Sequence, residues 1–86
     1  MTLAEYQITY WRDIPSLVVA RDGDDVVKVQ LSARFQEQID QVAMDLGLTG
    51  SDAYLEGWHR EAWTPADGAP GEVAARVARS LEEARP

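Results

Sequence analysis

The chain has 86 residues, 45% of them hydrophobic and 27% charged, which suits one folded domain with a modest core and excludes both two domains and a wholly disordered chain. Eight basic residues face fifteen acidic ones, a formal net charge of -7 that disfavours nucleic acid and anionic lipid as partners. There is no cysteine, so disulfide staples, thiolate nucleophiles and most structural zinc sites are excluded, and a reducing cytoplasm is the expected compartment.

The charge is uneven along the chain. Through Arg34 there are four basic and five acidic residues, and from Phe35 onward four basic and ten acidic. The N-terminus lacks a basic region followed by an apolar stretch, and no apolar run approaches the roughly 20 residues of a membrane helix. Neither export nor a membrane span is expected.

In chain order, Tyr6, Ile8 and Tyr10 alternate with Gln7, Thr9 and Trp11, a period of two in residues that favour strands. Arg12-Asp13-Ile14-Pro15 then reads as a turn, since proline lacks an amide donor and restrains its predecessor. Ser16 to Arg21, with Leu17-Val18-Val19, completes a hairpin. Asp22-Gly23-Asp24-Asp25 is the plainest turn in the sequence. A third strand follows in Val27-Lys28-Val29-Gln30-Leu31, where apolar residues point one way and Lys28 and Gln30 the other.

Ser32 suits an N-cap, and Phe35, Ile39, Val42 and Leu46 then form one apolar stripe on a helix that Gly47 should end. Thr49-Gly50-Ser51-Asp52 recaps the chain into a second, shorter helix carrying Tyr54, Leu55 and Trp58 and fraying near Arg60. Between Thr64 and Gly71 stand Pro65, Gly68, Pro70 and Gly71, a linker composition. Beyond it Val73, Val77, Leu81 and Ala84 recur at helical spacing, with Glu72 and Arg76 four apart.

The expected fold is therefore α+β: a three-stranded antiparallel sheet covered on one face by two helices, within a domain of residues 1–63. Residues 64–71 would be a linker, and residues 72–86 a loosely attached C-terminal amphipathic helix.

No residue constellation argues for an enzyme. His59 is the single histidine and would need distant carboxylates to bind metal. Asp22-Gly23-Asp24-Asp25 is no calcium loop, because the sixth position, where that loop requires glycine, is Val27. The glycines stand at turns and never in phosphate-loop spacing, and serines 16, 32, 51 and 80 are explained as turn or cap residues. No catalytic residue, metal or cofactor is assigned.

Three Trp, three Tyr and one Phe are more large rings than so small a core readily encloses. With Tyr6, Tyr10 and Phe35 taken as core, alternation puts Trp11 on the opposite, wet face beside Arg12, and Trp63 falls near the linker. Because Trp and Arg are enriched in binding hot spots, Trp11, Arg12, Trp58 and Trp63 form the candidate contact set for another protein. For Trp58 the alternative is a plain core residue.

Residues 27 to about 60 resemble a ribbon-helix-helix DNA-binding unit, a strand followed by two helices. That resemblance implies a dimer whose Lys28, Gln30 and Ser32 read the major groove. The preceding hairpin and the acidic balance are departures from that family's pattern.

A longer resemblance covers most of the chain. It rests on Tyr6-Gln7-Ile8-Thr9-Tyr10-Trp11-Arg12-Asp13-Ile14-Pro15, then Leu31-Ser32 with Arg34-Phe35-Gln36 and Ile39-Asp40, and Leu46-Gly47-Leu48-Thr49-Gly50-Ser51-Asp52-Ala53-Tyr54-Leu55. Together these resemble the small bacterial domain family labelled "virulence factor". The resemblance implies a short protein encoded near methylenetetrahydrofolate reductase-like and other one-carbon enzymes, and hence a non-catalytic accessory subunit to such an enzyme. It brings no catalytic residues, and it names no oligomeric state.

Overall fold

The computed structural model describes residues 3–48, 50 and 52–84. Its elements, in chain order, are β1 (Leu3–Trp11), β2 (Ile14–Asp22), β3 (Asp25–Gln30), α1 (Ala33–Asp45), α2 (Asp52–Glu56), β4 (Trp58–Arg60), β5 (Thr64–Asp67) and α3 (Pro70–Ala84). The chain is α+β as expected. The sheet, however, has five strands: β3-β2-β1 in antiparallel order, with β4 and β5 both pairing along the far edge of β1.

Two tight hairpins build the first three strands. Arg12-Asp13 alone turns the chain between the paired Trp11 and Ile14, with Arg12 at φ 55, so the turn is shorter than the expected four residues. Ile14 and Pro15 belong to β2 instead. Thr9 faces Leu17 but Tyr10 faces Pro15, which leaves Ser16 as an extra, bulged residue beside the proline that cannot donate to the ladder. The second turn is as read, with Gly23 at φ 62 between the paired Asp22 and Asp25.

α1 also matches its apolar pattern. Phe35, Ile39 and Ala43 are buried, Val42 is half-buried, and the predicted end of the stripe, Leu46, is exposed. Gly47 at φ 68 lets its own N–H reach Met44 O at 3.1 Å and the Leu48 N–H reach Ala43 O at 2.8 Å, the paired bonds of a glycine-terminated helix. Ser32 occupies the N-cap position, but its hydroxyl makes no cap bond and is engaged elsewhere. The caps expected at Thr49 and Ser51 lie outside the described residues, as do Arg85 and Pro86.

Three expectations are corrected. The second helix stops at Glu56, and Trp58–Arg60 form β4 against Thr9–Trp11 instead of fraying from a helix. The segment 64–71 is not a linker: Thr64–Asp67 pair with Leu3–Tyr6, and Pro70 is buried at the start of α3. Nor is α3 loosely attached, for it packs on β1, β2 and β3 and places Val73, Ala74 and Ala78 in the core. The reason is steric and local. Ala74 and Ala78 on the helix, with Ala4 and Ala20 on the sheet, are small enough for helix and sheet to lie close, so a stripe that looks thin in sequence still buries fully.

α1 and α3 thus share one side of the sheet, over Ala4, Ile8, Val18 and Ala20. A five-residue α2 followed by a strand also departs from the strand-helix-helix unit of a ribbon-helix-helix protein. No helix among the described residues is long and apolar enough to cross a membrane.

Candidate functional site

With both long helices on one side, the other side of the sheet carries the complementary alternation: Gln7 and Thr9 on β1, Leu17, Val19 and Arg21 on β2, Val26 and Lys28 on β3. Together with Arg60 and Trp63 these residues line an open concavity of about 240 Å³. Register explains the gathering. Gln7 stands opposite Val19, Thr9 opposite both Leu17 and Arg60, Val19 opposite Lys28, and Arg21 opposite Val26.

Trp63 is fixed there by Arg21, whose guanidinium carbon lies 3.7 Å from the ring centroid while its Nε sits 3.3 Å from Glu5 Oε1. Arg21 thus touches both a carboxylate and an indole face, and it lines the concavity. Lys28 is exposed, as is Arg60, and among the described residues neither carries an ion pair. Three of the eight basic residues therefore converge on one face of a strongly acidic chain, and no acidic side chain lines the concavity.

The expected contact set is divided. Trp63 belongs to this face. Trp11 does not serve as an exposed contact: it is 0% exposed. By alternation it shares a side with Gln7 and Thr9, but the chain from Tyr54 to Gly57 closes over it. Its Nε1 donates to Tyr54 O at 2.8 Å, and the two rings lie 5.6 Å apart. Gly57 is what lets the chain pass so close, since a Cβ there would sit 2.5 Å from Trp11 Nε1.

Trp58 is half-buried, edge-on to Tyr54 at 6.3 Å, nearer the core role weighed for it. Arg12 is exposed and lines a different recess with Glu56, Gly57 and His59. His59 serves structure there: its Nε2 donates to Arg12 O at 2.7 Å and its ring stacks on Tyr10, bracing the positive-φ turn. No three histidine or carboxylate groups among the described residues converge as a metal site needs.

The residues of the groove-reading alternative also separate. Lys28 and Gln30 are exposed on β3, whereas Ser32 donates its N–H to Glu82 Oε2 at 2.7 Å and its hydroxyl to Oε1 at 2.8 Å. Arg34 adds its Nε to the same carboxylate at 3.3 Å and bonds Glu82 O through Nη2. The Ser32 amide first, then its hydroxyl and Arg34, hold the Glu82 carboxyl below its ordinary 4.5. Ser32 is thus a clasp between α3 and the start of α1.

A family model described as virulence factor matches residues 9–86, a span from the last residues of β1 to residue 86. The chain belongs to that family. The match includes β4, β5 and α3, so the virulence factor unit covers the segment read as linker and tail. No curated protein and no solved structure gives a match. Sequence reasoning found Lys28 and Trp63 but missed Arg21 and Arg60. The alternation of Leu17, Val19 and Arg21 against Val18 and Ala20 could have placed Arg21, while Arg60 needed β4.

Proposed function

We propose that this chain is a non-catalytic, cytoplasmic accessory domain that docks onto a partner protein through the side of the sheet its helices leave uncovered. One observation carries the reading: Leu17, Val19, Val26 and Trp63 form an apolar floor ringed by Arg21, Lys28 and Arg60. An apolar centre with an arginine-braced tryptophan and a charged rim is the anatomy of a protein contact surface. It is too open to enclose a small substrate. The one-carbon enzyme implied by the family resemblance is the first partner to test.

The test is site-specific photo-crosslinking in the cells that make the protein. A photoreactive residue at position 17 or 63 should capture a defined protein, and one at Ala75 or Arg79, exposed on α3, should not. Capture from the helix side alone would sink the reading.

A further inference from the structure

We infer that the corner between α1 and α2 is a second contact surface, which takes a basic segment of a partner protein anchored by one apolar side chain. This surface is separate from the sheet face proposed above and does not depend on it. Asp40, Ala43 and Met44 of α1 and Tyr54 of α2 line a recess of about 380 Å³ there. Three of those side chains are apolar or aromatic, and the fourth is a carboxylate.

The fold does not use this apolar surface for its core. Glu37, Asp40 and Met44 follow one another at spacings of three and four, so they share a stripe of α1 distinct from the buried Phe35, Ile39 and Ala43. Met44 on that stripe is 64% exposed. Among the described residues, three of the five large hydrophobics left exposed are Met44, Leu46 and Leu55, at the end of α1 and in α2. Exposed apolar residues gathered in one region mark a contact surface, and methionine is the side chain that adapts best to a partner's shape.

Charge selects the occupant. From Phe35 through His59 there are five acidic residues and no Lys or Arg, while the rest of the chain holds ten acidic and eight basic. That segment thus carries -5 of the net -7, and the negative field belongs to α1 and α2 rather than to the surface at large. Glu37, Asp40, Asp45 and Asp52 are exposed, and among the described residues none of them is in an ion pair. Gln36 donates to Asp40 Oδ1 at 3.0 Å and Gln41 to Asp45 Oδ1 at 2.9 Å, bonds from neutral amides that leave both charges in place. Arg34, at the start of α1, is bound to Glu82, and Arg12 shares its own recess with Glu56. Carboxylates without cations beside an apolar recess complement Lys or Arg flanking an apolar anchor.

The probes are N-acetylated peptides in which lysines flank a central leucine, with serine replacing the leucine or glutamate replacing the lysines in the controls, titrated into the whole 15N-labelled protein. The leucine-lysine peptide should shift the Asp40, Met44 and Tyr54 amides, leave those of Thr9, Val19 and Lys28 in place, and weaken with added salt. The double variant Glu37→Lys with Asp40→Lys, both exposed and checked by melting to stay folded, should lose about tenfold or more in affinity, and Met44→Ser should weaken binding as well. No shift at the corner with millimolar peptide, or unchanged affinity in the double variant, overturns the proposal. Equal binding of the glutamate peptide overturns the basic occupant, and equal binding of the serine peptide overturns the apolar anchor. Shifts at the same amides on raising the protein concentration alone, with a dimer in sedimentation, overturn it in favour of a second copy. The sheet face stands or falls separately, with the crosslinks from positions 17 and 63.

Discussion

Trp11 shows how much one side chain can depend on a glycine far along the chain. Its indole is buried only because Gly57 has no side chain, so Gly57→Ala should force a clash with a ring already held by its bond to Tyr54 O. Overpacking of this kind costs about 1–3 kcal/mol. Trp11→Ala should cost about 3–5 kcal/mol as a buried-aromatic truncation, whereas Arg12→Ala, on an exposed turn, should move the melt little. Chemical denaturation of the three variants checks this, and an unchanged midpoint in Trp11→Ala would mean that the ring is not enclosed.

Glu82 makes a second residue-scale prediction, in pH. Its folded-state pKa is depressed by the Ser32 amide, then the Ser32 hydroxyl and Arg34. The contact therefore stabilises at pH above the unfolded value of 4.5 and is lost as pH falls through the depressed folded value. A melt series through that acid range should show Glu82→Gln losing less stability on acidification than the parent. Parallel curves would contradict the clasp.

At the scale of elements, α1 and α3 reach the core by different routes. α1 does so with bulk, and Phe35→Ala or Ile39→Ala should cost about 2–5 kcal/mol each. α3 does so with small residues at close approach, so enlarging Ala74 to Leu should destabilise by about 1–3 kcal/mol through overpacking, the reverse of the usual rule that more apolar area helps. Pairing of Thr64–Asp67 with β1 also changes what a protease should find. Residues 64 to 67 should resist cleavage until the whole chain unfolds. Early cutting there by a low protease dose, leaving a folded remainder, would restore the linker.

Over the whole molecule, the sheet and both long helices share one continuous core from Ala4 to Ala78. Unfolding followed by far-ultraviolet dichroism and by tryptophan fluorescence should therefore give coincident single transitions. A separate early loss of helix signal would mean that α3 undocks first. The same division of sides leaves the part of the opposite face around Thr9, Val19 and Lys28 open, and that open part supports the functional proposal.

By itself the sequence determined what depends on near neighbours. The alternation of Tyr6, Ile8 and Tyr10, the Gly23 turn, the Phe35-Ile39 stripe and the Gly47 stop all follow from periods of two or 3.6 and from backbone freedom at single glycines. The mixed α+β class was legible for the same reason. Only the tertiary structure decided the long-range pairings. β4 and β5 are too short to declare themselves by period, and Pro65 and Gly68 look like loop until β1 offers an edge for Thr64–Asp67 to pair with. Trp11 could not be assigned to the interior before the chain at Gly57 passed over it, nor could Arg60 join Arg21 and Lys28 before β4 aligned it with Thr9. Local preferences act over a few residues, whereas burial and charge clustering depend on which distant segments the fold brings together.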